Sequence, residues 1–224
     1  MSFDDKGTPY FNDLSQWTFD IATGNWEVGA GNNYISNPEF DADRIVVSSP
    51  TGWEVSDNVG GAANHNVKGK SHYGEFIWEQ KANTDYNAEL KQTVKNLPDG
   101  EYTLKAWVKS SGGQNISELY AKSADKKYAY SLKSAINDWT EVAISDIEVK
   151  NGECEIGLYS DAYANNWVLL DNLSLTKNSG EFEEGPLPTE KPTETEKPKE
   201  TIKPEETKKP TETSQPSIHN IKDN

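Results

Sequence analysis

Cysteine is nearly absent from this chain: one, Cys154, in 224 residues. A lone thiol closes no internal disulfide, and no Cys/His set with metal-site spacing accompanies it. Cys154 alternates with Ile156 and Leu158 in GECEIGLY and reads as a small buried hydrophobe. Histidine is scarce as well, and neither His65 nor His72 lies in a recognisable arrangement with a Ser or Cys nucleophile. Nucleophile elbows and phosphate loops are missing too, which leaves little room for an active site. Nothing reaches membrane-spanning length, and MSFDDKGTPYFND lacks the apolar core of a signal peptide. Basic residues are outnumbered, 22 against 37 acidic, for a formal net charge of −15. That balance excludes nucleic acid and acidic membrane surfaces as partners, because both need cationic patches. Apolar residues make up 33% of the chain, below the roughly 45–50% of ordinary globular proteins.

That apolar deficit is uneven. EFEEGPLPTEKPTETEKPKETIKPEETKKPTETSQP holds seven of the eleven prolines, and no apolar period survives in it. Such a stretch cannot bury enough surface to offset the entropy of ordering. Residues 178–224 are therefore expected to be a disordered, semi-rigid Pro/Thr/Glu/Lys linker leading towards another module. With no leader in this chain, the reading is a piece cut from a larger secreted or extracellular protein, with cell-surface attachment as a variant.

Residues 32–177 read as one all-β domain. LKQTV, EYTLKAWVK, SELYAK, YAYSL, WTEVAIS, CEIGLYS and WVLLDNLSLT show period-two alternation or dense β-formers. Leu97-Pro98-Asp99-Gly100, Ser111-Gly112-Gly113, Ala124-Asp125-Lys126-Lys127 and Asn151-Gly152 separate them as turns. Short strands at this spacing predict a β-sandwich, specifically a jelly roll. Residues 1–31, with Trp17 and Trp26 in alternating surroundings, are expected to be a hairpin or the tail of a preceding module.

What the chain does have is rings: seven Trp and ten Tyr. In Tyr102 to Lys109 the apolar set Tyr102, Leu104, Ala106 and Val108 faces inward, which leaves Trp107 outward among Thr103, Lys105 and Lys109. Tyr120 and Tyr159 fall on similar outward positions, with Gly157 opening space beside Tyr159. Trp78 precedes a polar loop and is a further candidate. Trp53 and Trp139 are expected to seal the ends of the core. Sugars suit such a set, since pyranose C–H faces lie on rings and hydroxyls need oriented amides. Tyr163, Asn165, Asn166 and Trp167 supply the amides and further rings.

Asp171 interrupts the apolar run Trp167 to Leu175 and needs a partner. Glu39 and Asp41 in NPEFD could converge on it with backbone carbonyls around calcium, a hard ion that takes six to eight oxygens. The plainer alternative is that Asp171 accepts hydrogen bonds.

NYISNPEFD followed by TGWEV resembles the opening of many jelly-roll carbohydrate-binding modules. LKQTVKNLPDGEYTLKAWVKSSGGQ, ELYAKS and NGECEIGLYSDAYANNWVLLDNLSLT resemble the family 61 modules that accompany galactanases and related pectin-side-chain enzymes. The likeness covers residues 32–177. It implies a β-jelly roll binding β-1,4-galactan or another galactose-containing polysaccharide, with structural calcium. The acid ending that family's last strand maps to Asp171, and the opening Glu to Asp41. Its Ala-Asn-x-Trp stretch maps to Ala164-Asn165-Asn166-Trp167. Asn172 departs from the pattern, as does an insertion from Lys81 to Tyr86.

The expectation is thus a monomeric, non-catalytic module that targets a linked glycanase to plant cell-wall polysaccharide. Two alternatives stand beside it: an adhesion or scaffold domain with a protein partner, and a small β-sandwich glycosidase or lyase.

Overall fold

The computed structural model describes residues 15–29, 31–61 and 63–178, with the backbone of two short strands, Ser2–Phe3 (β1) and Pro9–Tyr10 (β2). Beyond Asn178 the expected linker lies outside the described residues. β1 pairs with β2, and Trp17–Phe19 (β3) pairs with Trp26–Val28 (β4). The remaining strands are Glu54–Asp57 (β5), Asn64–Lys68 (β6), Phe76–Lys81 (β7), Tyr86–Lys95 (β8) and Gly100–Ser110 (β9). Ile116–Ser123 (β10), Lys126–Ser131 (β11), Ile136–Val149 (β12), Glu153–Ala162 (β13) and Trp167–Lys177 (β14) follow.

They form two five-stranded sheets: sheet I in the order β11-β10-β13-β8-β5, and sheet II in the order β12-β9-β14-β7-β6. Every pairing is antiparallel. From β8 onward the chain crosses between the sheets at every connection except the β10–β11 hairpin, as in a jelly roll. No helix occurs among the described residues, so the all-β sandwich read from the sequence is what forms.

Alternation builds the core. Tyr86, Ala88, Leu90, Gln92 and Val94 of β8 are buried, and so are Tyr102, Leu104, Ala106 and Val108 of β9. Cys154, Ile156 and Leu158 of β13 lie beside the β8 set on the inner face of sheet I. Burial pushes the Cys154 thiol up to about 12, consistent with an inert packing residue. Each buried aliphatic side chain contributes roughly 1.5–3 kcal/mol over its exposed state.

The phase of β14 slips once. Val168 and Leu170 are buried, then Leu173 and Leu175, with a register shift between Asp171 and Ser174. Asn172 takes a left-handed φ of 46° there. This is a β-bulge, with an extra residue that re-aims its neighbours. Asp171, still in phase with Leu169, sits on the outer side of sheet II opposite Trp107, and the bulge after it turns Leu173 and Leu175 inward.

The β3–β4 hairpin is fastened at its base. Ser15 and Gln16 donate backbone amides to Asn32 Oδ1 at 2.8 and 3.2 Å. Asn33 donates its Nδ2 to the Leu173 carbonyl and accepts from the Leu175 amide, at 2.9 and 3.0 Å. Trp17, Phe19, Trp26 and Val28 share one exposed face of the hairpin and do not pack into the sandwich.

Candidate functional site

Sheet II presents the richest outer surface. Register places Lys109, Leu169, Glu79 and His65 in one row across β9, β14, β7 and β6. Trp107 and Asp171 form the next row, with Glu141 of β12 beside Trp107. Trp167 lies opposite Lys81. Three tryptophans on adjacent strands, Trp139, Trp107 and Trp167, are all partly exposed here. Trp107 and Trp167 stand about 13 Å apart along the strand direction, from the rise per residue. Beyond Trp167 opens a cleft of about 330 Å³ lined by His65, Glu79, Lys81, Ala82, Asn83 and Thr84. Glu79 is buried, and the hydrogen bond from His65 holds its carboxyl below the ordinary range despite that burial.

The rim is the β13–β14 loop. Tyr163 is 56% exposed there, and Asn165 takes a left-handed φ of 68°, a conformation asparagine tolerates. Asn166 is committed to structure: its Nδ2 donates to the Gly112 carbonyl at 2.9 Å and its Oδ1 accepts from the Tyr163 amide at 3.2 Å. It ties two loops together and was not free to be the ligand contact expected of it. The Trp167 amide donates to Ser111 Oγ at 2.9 Å, which fixes where its indole emerges.

The other expected site residues scatter. Trp78 is 0% exposed, packs against Phe40 at 5.9 Å between centroids, and donates its indole N–H to Asn64 Oδ1. It belongs to the core with Trp53 and cannot stack on a ligand; β7 runs on past it through Glu79 and Gln80. Tyr120 and Tyr159 lie on sheet I, on the opposite side of the sandwich from Trp107. Tyr120 is buried at 1% exposure: its ring lies over Gly157, where a Cβ would come within 2.7 Å of it. The space Gly157 opens is thus filled by Tyr120, not left beside Tyr159. The Tyr120 hydroxyl donates to Glu89 at 2.8 Å, and Lys122 and Lys127 cover the ring at 4.6 and 5.3 Å. Tyr159, half-buried, borders a separate cleft of about 240 Å³ with Ser56, Asn58, Asn87 and Glu89.

Trp139 reverses its expected role. It does not seal the core; it faces outward, with Lys109 Nζ 5.7 Å from its ring centroid. Its parity with Glu141, opposite to Val142 and Ile144, was a legible signal. His72 carried no such signal, because only the folded β6–β7 loop brings it onto Trp107.

Asp171 is 0% exposed, and burial is the main cause raising its carboxyl pKa. Its Oδ2 accepts the amides of His72 and Tyr73 at 2.7 and 3.0 Å, and its Oδ1 accepts that of Asn172 at 2.7 Å. Asp41 Oδ1 accepts the Phe76 amide at 2.8 Å. Burial raises the Glu39 carboxyl pKa, and like-charge repulsion from Asp41 and Asp171 adds to it. A divalent cation would relieve that crowding. Amides already occupy part of Asp41 and Asp171, leaving Glu39 and the remaining lone pairs for an ion. Among the described residues no three acidic, His or Cys side chains are drawn into a metal cage.

No protein-family model matches the chain. A structure of TmCBM61 in complex with β-1,4-galactotriose aligns with a TM-score of 0.56 and 23% identity, over 65% of this chain and 99% of that one. In fold, the chain resembles a family 61 carbohydrate-binding module. The enzymatically active domain of bacteriophage CBA120 tailspike protein 4 aligns at TM-score 0.52 and 14% identity, over 65% of this chain and 21% of that one. A 1,6-alpha-glucosyltransferase of Sporosarcina globispora is 23% identical over 155 residues, 65% of this chain. The chain spans 12% of the length of that enzyme.

Proposed function

We propose that the sandwich is a non-catalytic carbohydrate-binding module, and that its ligand is β-1,4-galactan or another galactose-containing pectic chain. The observation that carries this is the set of partly exposed Trp139, Trp107 and Trp167 on one sheet face, beside a cleft lined by His65, Glu79 and Asn83 and an amide-rich rim. The indole faces of Trp139 and Trp167 take the C–H side of a pyranose, while Lys81, Asn83, Thr84 and Glu79 offer partners to its hydroxyls. The β-1,4-galactotriose held by TmCBM61 supports the choice of glycan. The acidic balance of the chain suits a neutral polymer.

The module acts by proximity. Tethered through the Pro/Thr/Glu/Lys linker to a catalytic partner in a secreted protein, it raises that partner's effective concentration at the cell wall. The glucosyltransferase match, in which such a segment is a small part of a large enzyme, supports that arrangement. A structural calcium held by Glu39, Asp41 and Asp171 is a second proposal, favoured by the like-charge crowding on Glu39.

Affinity electrophoresis against galactan, arabinan, xylan and cellulose tests the reading. Galactan retards the native protein most, and Trp107→Ala and Trp167→Ala each weaken retention. Equal mobility in galactan and in a glycan-free gel overturns it.

A further inference from the structure

Asp171 spends a buried carboxylate on a surface loop, which is an expensive way to make a turn. The loop joining β6 to β7, Gly69–Glu75, is longer than the two to five residues of an ordinary hairpin connection. It is held at two points. Asp171 takes the amides of His72 and Tyr73 on one oxygen, which fixes the orientation of that peptide. Asp41 takes the amides of Glu75 and Phe76. Gly74, at φ 67°, fits against the second clamp so closely that a Cβ there would fall 1.9 Å from Asp41 Oδ2.

The clamped loop lays His72 on the tryptophan face. The His72 imidazole lies on the Trp107 indole, centroids 3.7 Å apart and planes 31° apart. Its plane stands at 90° to Trp139, 6.0 Å away. Tyr73, next in the chain, is 59% exposed. Both side chains stay open to solvent while the carboxylate beneath them is sealed. What the buried charge secures is thus the placement of His72 against the indoles and of the peptide that carries the exposed Tyr73.

We infer that the β6–β7 loop is part of the glycan site: His72 and Tyr73 contact the sugar, and Asp171 is the positioning residue that holds them there. This rests on the proposal that the sheet II face binds a glycan. Trp107 then works from beneath, as the support on which His72 lies, and the sugar meets His72, Tyr73 and Trp139.

Calorimetric titration with β-1,4-galactotriose tests this on His72→Ala, Tyr73→Ala, Asp171→Asn and the Asp171→Asn/Tyr73→Ala pair, with melting followed in parallel. His72→Ala and Tyr73→Ala each weaken binding about five- to tenfold, the size of one lost ring contact, at an unchanged melting midpoint. Asp171→Asn weakens binding comparably, and the double variant binds no worse than the weaker single one, because both act through one loop. Should Asp171→Asn not fold, Gly74→Ala, which displaces the loop against Asp41, takes its place in the cycle. Normal affinity in His72→Ala and Tyr73→Ala, with Trp167→Ala impaired, overturns the inference and leaves the glycan reading intact. Additive losses in the cycle overturn the positioning role. Absence of binding by the native protein removes the glycan reading and this inference together.

Discussion

The two outer faces of this sandwich use similar residues to opposite ends. On sheet I, Tyr120 lies flat on Gly157, bonded to Glu89 and roofed by Lys122 and Lys127. Ion pairs of Glu155 with Lys91 and Lys122 extend that network along the face. On sheet II, Trp139, Trp107 and Trp167 remain partly exposed, and the loop that reaches Trp107 and Trp139 is clamped by carboxylates. The first face closes over its ring; the second lays His72 on Trp107 and keeps Trp139 and Trp167 partly exposed. A ring at an outward strand position is therefore no sign of a binding platform until its neighbours are known. A glycine opposite a tyrosine buries it, and a loop held by backbone amides lays a second, exposed ring on an indole.

That contrast can be broken most forcefully from between the faces. Trp78→Ala should cost about 3–5 kcal/mol, since it empties a fully buried site behind sheet II. Urea unfolding measures it; a variant of native stability that has lost galactan affinity would return Trp78 to the binding site. Gly157→Ala comes next, at about 1–3 kcal/mol, because the new methyl meets the Leu90 carbonyl and the Tyr120 ring. Its galactan affinity should stay native, and a large loss would mean that sheet I takes part in binding. Tyr159→Ala should change affinity less than about twofold, with the tryptophan variants as the reference for a real loss.

The acid side gives a subtler comparison. The hydrogen bond from His65 depresses the Glu79 pKa, so Glu79 adds stability above its unfolded value of about 4.3, and that contribution fades as pH falls through the lower folded value. The melting gap between native protein and His65→Ala should be widest near neutrality and narrow below about pH 4. A gap that widens in acid would contradict the assigned sign. The smallest expected effect is that of chelator on the native melting midpoint. A fall on adding chelator supports calcium at Glu39, Asp41 and Asp171, and an unchanged midpoint leaves the amide clamps as the whole account.

Much of the sandwich could be read before any coordinates. Alternation in β8, β9 and β13 fixed which side chains point inward, and Gly, Asn and Asp marked the turns, because both signals act over a few residues. The three-residue step from Leu170 to Leu173 also carries the mark of the bulge in β14, which the sequence reading did not use. The candidate site was legible only in part. Trp107, Tyr163, Asn165 and Trp167 all reach the surface, and Trp139 could have been placed by parity with Glu141. Trp78 was misread because β7 is covered on both faces and shows no alternation.

Sequence alone determined an all-β domain, its inward faces and a surplus of rings, since these follow from the two-residue repeat of a strand and from composition. Only the tertiary structure decided which rings stay open. That depended on contacts between residues far apart in the chain: Tyr120 on Gly157, His72 on Trp107, and the Asp171 carboxylate on amides 98 and 99 residues away. No local pattern encodes such meetings, because they exist only once the strands have taken their order in the sheets.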